Sequence, residues 1–311
     1  MTTVRHWQQR VGNQRDWVWR GWQTRYTYIR PPHDYAKTTP LILLHGFGAS
    51  IGHWRHNLEV LGKSHPVYAL DMIGFGASEK AATSYNVELW VEQVYDFWKT
   101  FIRQPVVLVG NSIGSLISIV AAANHPDMVK GIVMMSLPDP NLEQEMIPTA
   151  LQPLVSGIKS IFTSRLILKP IFYFVRRPGV LRPWASLAYA NPEAITDELI
   201  DILARPPQDR GSARAFRALF KATTEVNFSP SVKKILPNLT IPMLLIWGKK
   251  DRFVPPKLAN QFVGYNEKLQ LLYLEDVGHC PQDESPELVN QAILDWIGNS
   301  SVVSRGEAFG R

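Results

Sequence analysis

Short runs of apolar, mostly branched residues recur along the chain and alternate with segments of helical periodicity. The runs are hydrophobic without alternation, which is typical of strands covered on both faces, as in a parallel sheet. The predicted strands are Leu41–His45, Val67–Asp71, Val106–Gly110, Gly131–Met135, Met243–Trp247 and Leu269–Leu274. The predicted helices are Glu88–Arg103, Ile113–Asn124, Pro256–Val263 and Pro286–Ile297. This order predicts an α/β fold: a mostly parallel, twisted sheet flanked by helices.

The rhythm changes in two places. Trp19–Ile29 alternates between apolar and polar residues, which predicts antiparallel edge strands. Residues 139–238 are helical in tendency and rich in proline, and the strand–helix rhythm returns at Ile241. We interpret 139–238 as a helical cap inserted over the carboxyl ends of the strands, where open α/β sheets bind ligands. The predicted division is a core of 1–138 and 239–311, with flexible tails at 1–18 and 299–311.

Composition narrows the class of protein. Of the 311 residues, 45% are hydrophobic and 19% are charged, so a large core is expected and global disorder is not. The net charge of +6 favours anionic membrane surfaces over nucleic acid, because the chain has no Lys/Arg block and no nucleic-acid motif. Cys280 is the one cysteine, so no internal disulfide can form. Without a secretory h-region or a long apolar run, we expect a cytoplasmic or peripheral membrane location.

The candidate nucleophile lies between a predicted strand and a predicted helix. Gly110-Asn-Ser-Ile-Gly114 follows the apolar strand and contains the G-x-S-x-G pattern. In this pattern a sharp turn lifts the serine hydroxyl above the sheet, and the flanking glycines permit close backbone approach. The following helix directs its N-terminus at the site and favours developing negative charge. We therefore predict that Ser112 is a catalytic nucleophile.

A serine hydroxyl needs a base, and the base needs an orienting acid. His279 follows the last predicted strand, in a loop that can bring its imidazole over Ser112. Asp251 follows the preceding strand after the turn at Gly248, in the chain order Ser, acid, His. Asp139, after the strand Gly131–Met135, is the alternative acid. No histidine pair has convincing metal-ligand spacing, so neither a metal nor another cofactor is expected.

Acyl transfer also needs two backbone N–H donors for the developing oxyanion. Ile113, directly after the nucleophile, provides one predicted donor. The other is expected from His45-Gly46-Phe47-Gly48, the loop after the first parallel strand, and Phe47 is the predicted donor. His45 is expected to shape this loop.

Together these motifs resemble the α/β-hydrolase superfamily. The resemblance covers about residues 20–298 and includes Asp71-Met-Ile-Gly-Phe-Gly-Ala-Ser78. Further stretches resemble chlorophyll dephytylases and pheophytinases of oxygenic phototrophs. These stretches are Gly110-Asn-Ser-Ile-Gly-Ser-Leu116, Tyr189-Ala-Asn-Pro-Glu193, Asp197-Glu-Leu199 and Val277-Gly-His-Cys-Pro-Gln-Asp283. The resemblance implies a serine esterase that hydrolyses the phytyl ester of chlorophyll or pheophytin, in a cyanobacterium or plastid.

The cap suits a large apolar substrate. Apolar and aromatic residues crowd 154–189, interleaved with Lys and Arg side chains that could meet anionic headgroups, as at a thylakoid membrane. An ordinary cap packing its apolar face on the sheet would also explain this composition. The predicted substrate-binding residues are Gly46, Asn111, Phe162, Leu166, Phe172 and Trp184.

Two other functions remain open, and a third is disfavoured. A carboxylesterase or lipase would use the same residues on acyl lipids. A ligand-binding receptor or scaffold on this fold could also retain them. Haloalkane dehalogenases and epoxide hydrolases typically carry Asp at the nucleophile position, so Ser112 argues against them. Neither the oligomeric state nor the preferred pigment follows from the sequence.

Overall fold

The computed structural model describes residues 6–32, 38–140 and 165–299. Eight strands in these residues form one sheet, in the order β1-β2-β4-β3-β5-β6-β7-β8. The strands are β1 (Asn13–Trp19), β2 (Trp22–Ile29), β3 (Leu41–Leu44), β4 (Val67–Leu70), β5 (Val106–Asn111), β6 (Val129–Met135), β7 (Met243–Gly248) and β8 (Leu269–Leu274).

The sheet is antiparallel at one edge and parallel from β4 onwards. β1 pairs with β2 and β2 pairs with β4 in antiparallel register. β3 lies between β4 and β5, and Leu44 is in register with both Leu70 and Gly110. The carboxyl ends of the parallel strands therefore meet at one edge, and the loops after β3, β5, β7 and β8 share it.

Helices cover both faces of the sheet. Further helices lie in residues 165–238, the described part of the stretch between β6 and β7, which is called the cap below. The helices of the core are α1 (Trp7–Arg10), α2 (Leu58–Leu61), α3 (Val87–Phe101), α4 (Ile113–Asn124), α10 (Lys257–Val263), α11 (Pro281–Glu284) and α12 (Pro286–Asn299). The described part of the inserted stretch contains α5 (Arg165–Val175), α6 (Pro178–Ala188), α7 (Asp197–Ala204), α8 (Ser212–Ala222) and α9 (Val232–Ile235).

The central strands are buried on both faces, as their continuous hydrophobicity predicts. In β3, Ile42 and Leu44 belong to the core under one layer of helices, and Leu41 and Leu43 belong to the core under the other. All four side chains are fully buried. Because alternate residues point to opposite faces, a strand buried on both sides must be apolar at every position. The predicted mostly parallel α/β fold is confirmed.

The chain before β2 differs from the expected flexible tail at 1–18. Residues 13–18 form most of β1, which pairs along its whole length with β2, and α1 precedes it. Trp17 packs edge-on against Phe97 and Phe101 of α3. The pairing with β2 and the packing of Trp17 hold residues 13–18 in place. Neither contact could be predicted from the mixed polar sequence of this segment. Residues 300–311 of the other expected tail lie outside the described residues.

Candidate active site

Ser112 occupies the turn that joins β5 to α4. Its backbone lies at φ 54° and ψ −117°, a conformation that L residues rarely adopt. The Ser112 N–H donates a hydrogen bond to the carbonyl of Met135 on β6, at 2.8 Å. The hydroxyl oxygen of Ser115 lies 2.8 and 2.9 Å from the carbonyl oxygens of Gly110 and Met135, and it accepts the N–H of Met135 at 2.9 Å. These contacts hold the turn above the sheet.

The two glycines that flank Ser112 are required by close backbone contacts. A Cβ on Gly110 would lie 2.3 Å from the backbone of Gly114. A Cβ on Gly114 would lie 2.1 Å from the carbonyl oxygen of Leu44, at the end of β3. The G-x-S-x-G spacing thus lets α4 start directly against two strands, with the first turn of the helix beside Ser112.

His279 and Asp251 lie side by side at the ends of β8 and β7. The Nδ1 atom of His279 is 2.9 Å from Oδ2 of Asp251. The other carboxylate oxygen, Oδ1, accepts hydrogen bonds from the N–H groups of Phe253 and Val254, both at 2.9 Å. The Asp251 side chain is fully buried, so its orientation is set on both sides. Asp251, rather than the alternative Asp139, is the carboxylate at hydrogen-bond distance from Nδ1.

The loop that carries His279 is attached to the Ser112 turn and to the cap. The side-chain amide of Asn111, the residue before Ser112, donates to the carbonyl of His279 at 3.0 Å. The N–H of His279 donates to the carbonyl of Ala188, at the end of α6, at 2.7 Å. This contact was not expected from the sequence. The predicted role of Asn111 in substrate binding stays a prediction. Asn111 is buried, and its amide brings the His279 loop to the Ser112 turn.

The loop after β3 provides the opposite wall of the site. Gly46 lies so close to the turn that an added Cβ would be 3.4 Å from Cβ of Ser112. Phe47 follows with a partly exposed side chain, whose ring packs edge-on against Phe75 at 5.4 Å between centroids. Ile113 is the first residue of α4. The structure therefore places both predicted oxyanion donors, Phe47 and Ile113, on segments that border Ser112.

His45 shapes that loop, as the sequence predicted. Its Nε2 accepts the N–H of Met72 at 3.2 Å, so Nδ1 carries the proton and donates to the carbonyl of Gly46 at 2.8 Å. Burial lowers the pKa of His45, and the neighbouring Asp71 opposes that shift. Asp71, which sequence reasoning did not assign, accepts from the N–H groups of Ile51 and Ala77, each at 2.7 Å.

An apolar cavity of about 160 Å³ lies between the core loops and the cap. The loop residues Phe47 and Phe75 line one side, and Phe172 of the cap lines the other. Ser112 is not among the lining residues, but Phe47, from the loop that borders the Ser112 turn, is one of them. The remaining apolar lining from the cap is Val175, Leu181, Leu203, Pro206, Pro207, Phe216 and Leu219.

The four cap residues predicted to bind substrate lie in different places. Phe172 lines the cavity, whereas Trp184 does not and is 52% exposed. On α6, Leu181 and Ala185 face inward at i, i+4 spacing, which leaves Trp184 on the outer side. Trp184 therefore lies outside this cavity, and its role in binding substrate stays a prediction. Leu166 lies on α5, where only its backbone is described, and Phe162 lies outside the described residues.

A carboxylate that the sequence did not single out joins the His279 loop to the cap. Oε1 of Glu284 accepts the N–H of Gly278 at 2.9 Å. Oε2 accepts the N–H groups of Ala190 and Asn191, just after α6, at 2.7 and 3.1 Å. Burial raises the pKa of Glu284, and these backbone donors oppose the shift. The position of Glu284 in α11, directly after the His279 loop, could have indicated a role near His279. Its partners in the cap are about 90 residues away in the chain and could not be inferred.

A second set of polar contacts also joins the cap to the core. The hydroxyl of Tyr189 donates to Oδ2 of Asp283 at 2.6 Å, and Nη1 of Arg55 lies 2.8 Å from Oδ1. Nε of Arg55 also donates to Glu198 on α7, at 2.9 Å. Burial and the Asp283 carboxylate raise the pKa of Tyr189 well above its usual value. Cap and core are thus joined by the Arg55–Asp283 ion pair and by the hydrogen bonds of Tyr189 and Arg55.

Within residues 6–32, 38–140 and 165–299, no group of three or more His, Cys, Asp or Glu side chains is arranged so that it could hold a metal ion. Over the same ranges, no helix has both the length and the apolar character required to cross a bilayer.

The sequence pattern of the alpha/beta hydrolase family matches residues 41–292. The chain belongs to this family. The match includes the Ser112 turn, Asp251 and His279 and begins at the first residue of β3.

Proteins similar to this chain carry names that denote different activities. The chloroplastic pheophytinase of Arabidopsis thaliana is 23% identical, over 88% of this chain and 64% of its own length. The chain therefore spans less than two thirds of that relative. The 2-hydroxymuconate semialdehyde hydrolase of Pseudomonas sp. (strain CF600) is 24% identical, over 88% of this chain and 91% of its own. A bacterial membrane phospholipase A of known structure has a TM-score of 0.74 and 24% identity, covering 94% of this chain and 89% of that one.

Proposed function

We propose that the protein is a serine hydrolase of carboxylic esters in which Ser112 is the nucleophile, His279 the base and Asp251 the orienting acid. The observation that carries this proposal is the 2.9 Å contact between His279 Nδ1 and Asp251 Oδ2. This contact favours the imidazole tautomer that carries its proton on Nδ1. The unprotonated Nε2 can then accept the proton of Ser112. The Asn111 amide keeps the same loop beside the Ser112 turn.

The proposed reaction is acyl transfer to water. His279 accepts the Ser112 proton as the serine oxygen attacks the ester carbonyl, and the buried Asp251 carboxylate stabilises the resulting imidazolium. The N–H groups of Phe47 and Ile113 hold the oxyanion, helped by the N-terminus of α4. The alcohol departs with the proton from His279, and water then releases the acid by the same steps.

For the substrate we propose the phytyl ester of chlorophyll or pheophytin. The apolar cavity of about 160 Å³ beside Phe47 has room for part of a hydrophobic chain, and its aromatic walls come from both the core and the cap. The relationship to a pheophytinase supports this choice of substrate. Any magnesium would enter with the pigment as part of the substrate.

Two other reactions would use the same residues. A carboxylesterase or lipase would release fatty acid from acyl lipids. The relationship to 2-hydroxymuconate semialdehyde hydrolase favours, as a second candidate, hydrolysis of a carbon–carbon bond next to a carbonyl group. A receptor or scaffold on this fold would bind its ligand without turnover.

Product analysis separates these functions. The purified protein is incubated with chlorophyll, pheophytin, a galactolipid and a vinylogous 1,5-diketone, and products are separated by chromatography. We expect release of phytol from at least one pigment over many turnovers. Fatty-acid release alone, or cleavage of the diketone alone, would replace the phytyl ester with the corresponding substrate.

The Ser112→Ala variant tests the nucleophile. We expect turnover to fall by several orders of magnitude because the acyl-enzyme cannot form. A fluorophosphonate probe should label the wild-type protein at Ser112 and leave the variant unlabelled. Near-normal turnover by a folded Ser112→Ala protein would refute the assignment, and labelling without repeated turnover would favour a receptor.

A further inference from the structure

The first two described helices of the cap expose large apolar side chains on their outer side. Tyr173 and Phe174 on α5 are 42% and 57% exposed, and Trp184 and Leu187 on α6 are 52% and 43% exposed. These are four of the ten exposed large hydrophobic side chains in the described residues. Concentrations of exposed apolar surface mark interaction sites more often than scattered single residues do.

Other side chains of the same two helices provide the buried packing of the cap. Leu168 and Phe172 form the inner face of α5, and the ring of Phe172 packs 5.2 Å from that of Phe216 on α8. On α6, Ala185 is buried. Each helix therefore has a separate apolar face for the interior, and the outer residues require another explanation.

Basic residues accompany the exposed rings. Residues 165–188 contain five Lys or Arg and no Asp or Glu. The guanidinium of Arg177 lies 5.9 Å from the ring centroid of Phe174, and that of Arg176 lies 4.4 Å from the ring of Tyr173. Lys169 and Arg177 are exposed. Arg182 is different, because it pairs with Asp197 of α7.

We propose that this cap surface, formed by Lys169, Tyr173, Phe174, Arg177, Trp184 and Leu187, docks on a lipid bilayer that contains anionic headgroups. Aromatic rings are favoured at the boundary between headgroups and acyl chains, and basic side chains beside them attract anionic lipids. The absence of acidic residues from 165–188 provides the charge complementarity.

The two helices that carry this surface also contribute to the wall of the cavity. Phe172, Val175 and Leu181 line the cavity from the same two helices whose outer sides carry the exposed rings. Docking through α5 and α6 would hold the cavity next to the membrane and shorten the path of a lipid-soluble ester to it. This last consequence rests on the proposed esterase function, whereas the docking itself does not.

Flotation with vesicles tests the docking. The full chain is mixed with vesicles of phosphatidylcholine, either alone or with 30% phosphatidylglycerol, at low and at high salt. We expect binding to the anionic vesicles that weakens with salt. Arg177→Gln should weaken it about fivefold, as expected for one basic charge near the surface. Phe174→Ser should weaken binding by a similar factor by removing an inserted ring.

Matched variants elsewhere on the surface provide the controls. Leu288 on α12 is 58% exposed, so Leu288→Ser removes a comparably exposed apolar side chain. Lys257→Gln removes an exposed basic charge on α10. Equal losses in these controls, or no flotation of the wild-type chain, would overturn the proposal, as would self-association through the cap surface without vesicle binding. Hydrolysis of a water-soluble ester should be unchanged in Phe174→Ser. If no ester is hydrolysed but the vesicles bind, the proposed function fails and the docking stands.

Discussion

His279 Nδ1 lies 2.9 Å from Oδ2 of Asp251, whose other oxygen accepts two backbone N–H groups. In Asp251→Asn, the side-chain amide must turn an NH₂ group toward either the imidazole or those two donors. We expect the wrong histidine tautomer and a fall in kcat of about 10⁴-fold, with KM little changed. Steady-state kinetics on the released alcohol measure both parameters.

Asp139→Asn is the matched control for the alternative acid. Asp139 is fully buried after β6, so the variant must first be shown to be folded by circular dichroism. We expect it to retain activity within about tenfold of wild type, since its carboxylate is not the partner of His279. Loss of activity only in Asp139→Asn would reverse the assignment of the acid.

The strain at Ser112 has a stability consequence. Its φ of 54° costs a non-glycine residue about 1–3 kcal/mol, and glycine adopts such a conformation with little steric cost. We therefore expect Ser112→Gly to unfold with a free energy about 1 kcal/mol higher than that of Ser112→Ala, while both are inactive. Urea denaturation of the two variants provides the comparison. Equal stabilities would show that the turn is not strained.

Glu284 should affect both stability and catalysis, because it holds the His279 loop and the end of α6 together. Glu284→Gln places an NH₂ group among three backbone donors. We expect the free energy of unfolding to fall by about 2 kcal/mol. As a positioning residue, Glu284 should also lower kcat about tenfold in this variant and leave KM nearly unchanged.

The exposed Glu287, three residues away on α12, offers a control for Glu284. Glu287→Gln removes the same charge and should leave both stability and kcat unchanged. A stability loss in Glu284→Gln without any change in kcat would restrict Glu284 to a structural role.

His53 predicts an acid-sensitive fold. Neither ring nitrogen has a hydrogen-bond partner among the described residues, and burial lowers the pKa of His53 to about 4. Below about pH 6.5 the unfolded chain binds a proton that the folded protein does not, so stability falls as the pH drops from 6.5 to 4. The loss due to this residue is on the order of 3 kcal/mol.

His53→Leu should remove that part of the pH dependence. We expect the variant to match or exceed the wild type in stability at pH 7, because no hydrogen bond within the described residues is lost. Between pH 6.5 and 4 its unfolding free energy should decline less steeply. The same slope in both proteins, measured by urea titration across this range, would contradict the prediction.

Local patterns predicted the parallel strands because each of them is a short run of mostly apolar residues. β8 has the predicted bounds, Leu269–Leu274, and β3 and β4 each end one residue earlier than predicted. β1 was missed in part, since Asn13–Trp19 is a polar edge strand that only its pairing with β2 defines. The exposure of Trp184 depends on how α6 is rotated, and helical periodicity alone does not determine that rotation.

By itself, the sequence determined the α/β fold, the Ser112 turn and the candidate residues His279 and Asp251. Each is encoded within a few consecutive residues: an apolar strand, a glycine pair, or a side chain just after a strand. Only the tertiary structure decided which carboxylate meets His279 and that Glu284 joins the His279 loop to the cap. Contacts between residues far apart in the chain depend on strand order and helix packing, and those arise when the whole hydrophobic core assembles.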